Sequence, residues 1–507
     1  MIMSADENKY RKNKVASKSF SLSGLFCTGL IAIIGFLILP KFEVYAKFAI
    51  FVSVFSVMIC LGAVNSVFSS KSPLVFILNL IGFVIIIFLV IIGLNYKKHP
   101  KMSSWFAYMS SKIYCTINYN DKAMSAIEEA LKLNATNYLY QMEAGKVCYK
   151  QKDFQKSIYY YNDAIELNPN DDELYLKRGC AYLEYEKSDL AIKDFEILIK
   201  NNEDVAEYNY WLGRAYFSYA EIFDVCDQYN DALKYFNNAI ELEGYNDENY
   251  YWRARTYVCL GGKENTKSAI EDFTKAITYN RYNAEYYYWR GKAYYYLGKH
   301  NYNDAINNLK EAIELNNTEK EYYYWCGRVY YEIEEYGDAI ENFNIAIKKD
   351  KKYAECYYQR AWTYSKSGEY DKGLTDIKKA VKLDKNNPYY HNSLGSFYFN
   401  GQRYGEAVRE YENAIKKFQT ETEVYQESND IETLSKCYFN LGDAYYEEGK
   451  YEKAIDAYTN AINIDNDNVL YLSRRGLCYS LVQKYDYSKE DLVTIMSLQE
   501  RGNEINY

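Results

Sequence analysis

Four tyrosines in the middle of the chain each stand four residues before an arginine or a lysine. The pairs are Tyr210 and Arg214, Tyr251 and Arg255, Tyr288 and Lys292, and Tyr324 and Arg328. Residues four apart lie on the same face of a helix, so each ring and its cation are neighbours. Rings of this kind can pack against the apolar parts of a ligand while the cations bind its carboxylates or carbonyls. We therefore expect these eight residues to be candidates for a peptide-binding groove.

Residues suited to catalysis or metal binding are scattered. The histidines His99, His300 and His391 lie far apart, and the eleven cysteines include no CxxC pair. Metal sites and disulfide frameworks need more closely spaced ligands. No Gly-rich phosphate loop and no Ser, His and Asp set occurs. We expect no metal, no cofactor and no enzymatic activity, with the cysteines as reduced thiols between helices.

Small residues recur through the chain with a base period of 34 residues. A tyrosine follows three residues later in all but one case, where Cys148 replaces it. The series is Ser111, Gly145, Gly179, Gly213, Ala254, Gly291, Gly327, Ala361, Gly395, Gly442 and Gly476. Between these sites, apolar residues three and four apart predict two short amphipathic helices per unit. The sequence therefore predicts an all-α chain of about eleven helical hairpins.

This pattern resembles the tetratricopeptide repeat (TPR) family, and the resemblance covers residues 104–502. The resemblance implies a right-handed superhelix with a concave groove for peptides or partner helices. When the recurring small residue of each unit is counted as position eight, positions two, five, nine and twelve line this groove. Here position five carries the tyrosines and position nine the cations of the four pairs. The chain departs from the family pattern in placing tryptophan at position six: Trp211, Trp252, Trp289 and Trp325. It also lacks the Lys/Asn set with which some members clamp a chaperone's C-terminal carboxylate.

Insertions interrupt the regular spacing at two places. Repeats four, five and six each carry a few extra residues between their two helices. Repeat nine carries thirteen extra residues after Ala414, within 417–433, which form either a longer helix or an exposed loop. The second insertion is an additional candidate contact site.

The first hundred residues are different in kind. Three uncharged windows, at about 19–40, 48–70 and 72–96, are each long enough to span a bilayer. The first also resembles a signal peptide, but the windows that follow favour a retained anchor. We expect a basic tail at 1–18, a multi-pass membrane anchor in contact with lipid at 19–96, the repeats at 104–502 and a short tail at 503–507. The number of crossings, and therefore the side of the membrane that carries the repeats, stays open.

Charge excludes one class of partner. Residues 1–103 hold eleven Lys/Arg and three Asp/Glu, which leaves a net charge of −17 for the rest of the chain. An acidic body of this size argues against nucleic acid as a ligand.

Two functions fit these observations. The first is a membrane-anchored interaction scaffold that binds a peptide or a partner helix in the groove. The alternative is a structural component of an envelope complex that self-assembles through its transmembrane helices or its solenoid surface. The paired residues could then be structural, with tyrosines covering helix surface and position-two glutamates pairing with cations of adjacent repeats. The sequence leaves the partner, the pathway and the oligomeric state open.

Overall fold

The computed structural model describes residues 100–420 and 428–504, and these residues form 22 α-helices and no strand. Successive helices pair into eleven hairpins, so the predicted all-α repeat architecture is confirmed. The chain divides after Glu203 into two compact units. The described part of the first unit holds three hairpins, and that of the second holds eight.

The first unit contains helices α1 to α6. Their bounds are α1 Pro100–Thr116, α2 Asn120–Leu133, α3 Tyr138–Lys150, α4 Phe154–Leu167, α5 Asp172–Glu184 and α6 Ser188–Asn201. Each odd-numbered helix packs on the even-numbered helix that follows it, and each hairpin packs on the next one within the unit.

The second unit begins with repeat four and contains helices α7 to α22. Repeats four to seven comprise α7 Ala206–Phe223, α8 Cys226–Leu242, α9 Asp247–Leu260, α10 Lys263–Tyr279, α11 Ala284–Leu297, α12 Tyr302–Leu315, α13 Lys320–Glu332 and α14 Tyr336–Lys349. Repeats eight to eleven comprise α15 Ala354–Lys366, α16 Tyr370–Leu383, α17 Pro388–Asn400, α18 Tyr404–Thr420, α19 Ser428–Glu447, α20 Tyr451–Ile464, α21 Val469–Leu481 and α22 Tyr485–Glu504.

The membrane assignment made from the sequence is corrected. Within residues 100–420 and 428–504, no helix is long and apolar enough to cross a bilayer. The basic tail at 1–18 and the windows at 19–40, 48–70 and 72–96 lie outside the described residues. The prediction of a multi-pass integral protein rested on the length of those windows and their lack of charge. These properties are necessary for a bilayer-spanning helix but do not establish one.

In most hairpins the two helices approach closely because the first helix carries a glycine, which has no Cβ, at the crossing point. A Cβ added to Gly327 would lie 2.8 Å from Cε1 of Phe343, a ring that is fully buried. The same contact joins Gly179 to Phe195. Elsewhere glycine ends a helix, as at Gly298, whose φ of +102° lies outside the range that other residues favour.

Neighbouring repeats share parts of the hydrophobic core. One cluster of buried side chains extends from Ala284 in α11 to Cys356 in α15 and therefore spans three repeats. Ala305, Leu309 and Ala312 of α12 are fully buried in it, as the helical spacing predicts. A single hairpin would leave this face exposed, so neighbouring repeats stabilise each other.

Recurrent arginine ion pairs join the two helices of a hairpin, and the same guanidinium groups also reach the repeat before it. Arg253 of α9 donates two hydrogen bonds to the Asp272 carboxylate at 2.7 Å, and Arg253 Nη1 lies 2.8 Å from Asn237 Oδ1 of the preceding repeat. Equivalent two-pronged pairs join Arg178 to Asp194, Arg360 to Asp376 and Arg475 to Asp491. All of their donors point at partners inside the protein, so these arginines fasten the fold.

The insertions mostly lengthen helices. In repeat four, α7 and α8 have 18 and 17 residues, and in repeat five α10 has 17. Repeat six instead adds a 3-10 turn at Lys299–Asn301. In repeat nine, α18 continues to Thr420, and residues 421–427 of the predicted contact segment lie outside the described residues.

The close helix crossing can be tested in repeat seven. Gly327→Ala should destabilise the chain by about 1–3 kcal/mol, because the new methyl group meets the buried Phe343 ring. Gly337→Ala in α14 is a matched control, because its Cβ would meet nothing within 4 Å. The control should be neutral or slightly stabilising, since alanine favours a helix more than glycine does. Thermal unfolding followed by circular dichroism distinguishes the two, and an equal midpoint for both variants would contradict the packing.

Candidate functional site

The four predicted Tyr and cation pairs lie on the first helices of four consecutive repeats. Each pair occupies one helix, in the order α7, α9, α11 and α13, all within the second unit. The structure brings their cations into a single row, because the first three each reach toward a tryptophan of the repeat that follows, and Arg328 lies on the last of these tryptophans.

The tyrosines of the pairs are largely covered by the protein itself. Tyr251 and Tyr288 are each 7% exposed and Tyr324 is 5% exposed. Tyr288 packs against Tyr322 of the next repeat, with ring centroids 4.9 Å apart, and Tyr251 packs in the same way on a ring of α11. These rings therefore belong to the core between repeats, and the cations are what the row presents.

Three of the four cations lie against the tryptophan of the following repeat, and Arg328 lies 5.0 Å from the Trp325 ring centroid of its own repeat. Arg214 Cζ is 3.7 Å from the Trp252 ring centroid, and Arg255 Cζ is 4.0 Å from that of Trp289. The ammonium of Lys292 lies 4.7 Å from the Trp325 ring centroid. We call this alternating set the cation–tryptophan row: Trp211, Arg214, Trp252, Arg255, Trp289, Lys292, Trp325 and Arg328. Each contact contributes about 0.5–2 kcal/mol, the upper value applying where water is excluded.

Few carboxylates compensate the charge of the row. Among the described residues, Arg255 is the one member with an ion pair, at 3.3 Å to the half-exposed Glu221. Arg214 Nη1 instead donates to the Tyr210 hydroxyl at 3.0 Å, and Arg328 Nη2 donates to that of Tyr295 at 2.9 Å. Aromatic rings and phenols therefore hold the cations in place without cancelling their charge.

Neighbouring cations in the row are close enough to repel. Arg214 Cζ and Arg255 Cζ lie 3.7 and 5.0 Å from the same Trp252 centroid, so they are at most about 9 Å apart. Burial and the nearby charge of Arg255 lower the pKa of Lys292 from its ordinary value to about 8. The row is therefore a line of confined positive charge on an acidic chain.

The position-two glutamates orient rings and do not pair with the cations. The indole N–H of Trp289 donates to Glu285 at 3.1 Å, and the Tyr322 hydroxyl of the next repeat donates to the same carboxylate at 2.7 Å. In repeat five, Glu248 accepts from Trp252 at 3.0 Å. Because these hydrogen bonds fix the indole planes, they also fix where the cations stack.

Sequence reasoning did not assign the tryptophans to the site. The sequence did contain an indication of their role, because tryptophan stands at position six in the same four repeats that carry a Tyr and cation pair. That coincidence places an indole three residues before each cation. It does not show that the cation of one repeat would reach the indole of the next.

The thiols offer no reactive group near this surface. The nine cysteines of the described residues are all free. Burial raises the pKa of Cys326 to about 12, and burial also raises the pKa of Cys259. A thiol of this kind stays protonated near neutral pH and is a poor nucleophile.

Family models match the repeats in several stretches. A model described as TPR repeat matches residues 145–185 and 442–481. Two models described as Tetratricopeptide repeat match residues 354–387, and residues 176–218 together with 290–354. These matches support the tetratricopeptide repeat family for this chain.

Similar proteins are matched over short stretches. A TPR repeat-containing protein of Methanocaldococcus jannaschii is 34% identical over 100 residues, which is 19% of this chain and 30% of that protein. Hsc70-interacting protein 1 of Drosophila melanogaster is 32% identical over 99 residues, 19% of this chain and 24% of that protein. The chain thus spans less than a third of either relative. The crystal structure of yeast Tom70 is 12% identical with a TM-score of 0.40, covering 79% of this chain and 96% of Tom70.

The confined charge of Lys292 can be tested by pH. Since burial lowers its pKa to about 8, the folded chain binds fewer protons than the unfolded chain above that pH. Lys292 therefore costs stability below about pH 8, and this cost is relieved as pH rises toward the ordinary lysine value. Methionine at this position keeps an unbranched apolar stem and does not titrate.

We expect the melting temperature of Lys292→Met, relative to the unsubstituted chain, to fall steadily from pH 7 to pH 10. The solvent-exposed Lys263 provides the control, because Lys263→Met should show no such trend. A pH-independent difference for Lys292→Met, measured by differential scanning calorimetry, would contradict the burial of this charge.

Proposed function

We propose that this tetratricopeptide repeat chain is a protein–protein interaction scaffold, and that the cation–tryptophan row binds an extended acidic segment of a partner. The row lies on the first helices of repeats four to seven, where the family resemblance places the ligand groove. The ligand contacts are proposed for Arg214, Arg255, Lys292 and Arg328. The half-buried Tyr210 and the buried Tyr251, Tyr288 and Tyr324 support them from below.

The observation that carries this proposal is how the cations are held. A guanidinium that lies on an indole uses its face for the contact and keeps N–H groups at its edge for a carboxylate. Arg214 Cζ, 3.7 Å from the Trp252 centroid, has this arrangement. The side chain is already ordered, so a ligand that binds it loses little additional conformational freedom.

Repulsion within the row favours an anionic ligand. Cations at most about 9 Å apart in a partly buried groove repel by about 2 kcal/mol per pair, at the effective dielectric constant usual for protein surfaces. A bound carboxylate between two of them replaces this repulsion with two attractions. The free groove is therefore less stable than it would be with an acidic occupant.

The spacing fits an extended peptide. Alternate residues of an extended chain point to the same side and lie about 7 Å apart. That interval is within the upper limit of about 9 Å between successive cations of the row. We therefore propose a ligand with acidic side chains at every second residue.

The relatives support the class of ligand. Hsc70-interacting protein 1 is named for a protein partner, and it matches this chain over 99 residues. That name describes the fly protein. For this chain it supports a protein as the ligand and leaves the identity of that protein to experiment.

The proposal can be tested with a fluorescein-labelled peptide of alternating Glu and Ser, and with a Lys and Ser peptide of equal length. The full chain should bind the acidic peptide and not the basic one in fluorescence anisotropy. The triple variant Arg214→Gln, Arg255→Gln and Arg328→Gln should lose at least about tenfold in affinity, because the charged donors are removed.

A matched triple variant controls for net charge. Lys234→Gln, Lys263→Gln and Lys275→Gln remove the same charge from exposed positions on the second helices of repeats four and five. This control should bind the acidic peptide within about twofold of the unsubstituted chain, and both variants should keep their helicity. Equal losses in the two triples, or none in either, would reject the row as the binding surface.

A further inference from the structure

A second cationic surface lies apart from the row, on repeats eight and nine. It is an open depression of ≈ 420 Å³, which we call the lysine depression. Its lining residues are Lys378, Val381, Lys382, Lys385, His391, Asn413 and Lys417. They come from α16, the loop after it, α17 and α18 of the second unit.

The four lysines line the same depression, although the stability of the helices does not require this arrangement. Lys378 and Lys382 stand four residues apart on α16, an arrangement in which like charges destabilise a helix. Lys417 comes from the next repeat, and its ammonium lies 2.7 Å from Asn386 Oδ1 in the loop that carries Lys385. Within the described parts of the chain, no carboxylate lies within 4 Å of any of these four ammonium groups. The depression therefore gathers positive charge without a partner of its own.

A histidine with partners at both ring nitrogens fixes the loop that carries Lys385. His391 Nδ1 lies 2.7 Å from Glu410 Oε2, and His391 Nε2 lies 3.0 Å from the carbonyl oxygen of Lys385. Both partners are acceptors, so the ring satisfies both when it carries two protons. Burial lowers the pKa of His391, but the hydrogen bonds to Glu410 and to Lys385 outweigh it and raise that pKa above its ordinary value. Glu410 is thereby committed to the histidine.

The surroundings show that this charge is local. Residues 341–420 hold fifteen Lys/Arg and ten Asp/Glu, whereas the chain as a whole carries a net charge of −9. Because the lysines line a concave depression, a single compact anion on a protein side chain can enter it and meet them.

We infer that the lysine depression binds a phosphate group, carried on a phosphorylated side chain of a partner protein. Four ammonium groups from two helices and a loop can surround a dianion from several sides, whereas a carboxylate offers one planar edge with a single charge. The volume of ≈ 420 Å³ leaves room for the side chain that bears the phosphate. The aliphatic stems of the lysines provide an apolar lining for that side chain.

The preceding repeat supplies a matched control. Lys348 and Lys351 stand 34 residues before Lys382 and Lys385, at the same positions of repeat seven. At the equivalent places one repeat earlier, Leu383 stands where the depression has Lys417, and Tyr357 stands where it has His391. The two lysine pairs are therefore equivalent in helix position and charge but differ in whether other cations join them.

The test uses the full chain and two fluorescein-labelled degenerate peptide libraries, one centred on phosphoserine and the other on serine. In fluorescence anisotropy the phosphoserine library should bind at least about tenfold more tightly. Lys382→Gln with Lys385→Gln should remove most of that preference. Lys348→Gln with Lys351→Gln should leave it within about twofold, and circular dichroism should show the same helicity for both variants.

Three results would overturn the inference. The first is equal binding of the two libraries, and the second is an equal loss in both lysine variants. The third concerns the source of the phosphate group: inorganic phosphate that binds as tightly as the phosphoserine library would show that no partner protein is needed. Vesicles containing phosphatidylinositol phosphates should not bind in a manner sensitive to Lys382 and Lys385, and binding of that kind would equally contradict a protein source.

Discussion

The structure depends on the contact between a small residue on the first helix of a hairpin and a large side chain on the second helix. In repeat seven, Phe343 is seated where a Cβ on Gly327 would lie 2.8 Å away. That contact fixes both the distance and the register of the two helices. Because every hairpin has glycine, alanine or serine at this place, position nine recurs at an equivalent place in each repeat. Residues that are far apart in the chain, such as Arg214 and Trp252, thereby come into contact at 3.7 Å.

Two arginines on α9 show how the same side chain serves two purposes. Arg253 makes a two-pronged pair with Asp272 and reaches Asn237, so its hydrogen-bonding capacity is consumed within the fold. Arg255, two residues later, lies 4.0 Å from the Trp289 centroid and has one long ion pair, to Glu221. Carboxylates therefore fasten the two helices of a hairpin together, while indoles position cations that can still bind an anion. The lysine depression extends this contrast, because its ammonium groups also lack carboxylate partners.

The sequence predicted the hairpins because their determining contacts are local. Gly327 and Phe343 lie in adjacent helices of one unit, so their spacing recurs visibly with the repeat. The stacking of Arg255 on Trp289 was not predictable, since it depends on how one repeat turns against the next. The same limit explains Glu285, which was expected to pair with a cation and instead accepts hydrogen bonds from an indole and a phenol. Apolar windows alone also failed to establish a membrane anchor.

The most direct test of the account is a double-mutant cycle between Arg255 and Trp289. The free energy of unfolding is measured for Arg255→Gln, for Trp289→Leu and for the double variant, in guanidinium chloride and at constant pH. If the guanidinium lies 4.0 Å from the indole centroid, the two substitutions should be coupled by about 0.5–2 kcal/mol. Strict additivity would show that the repeats do not align their cations and tryptophans into a row.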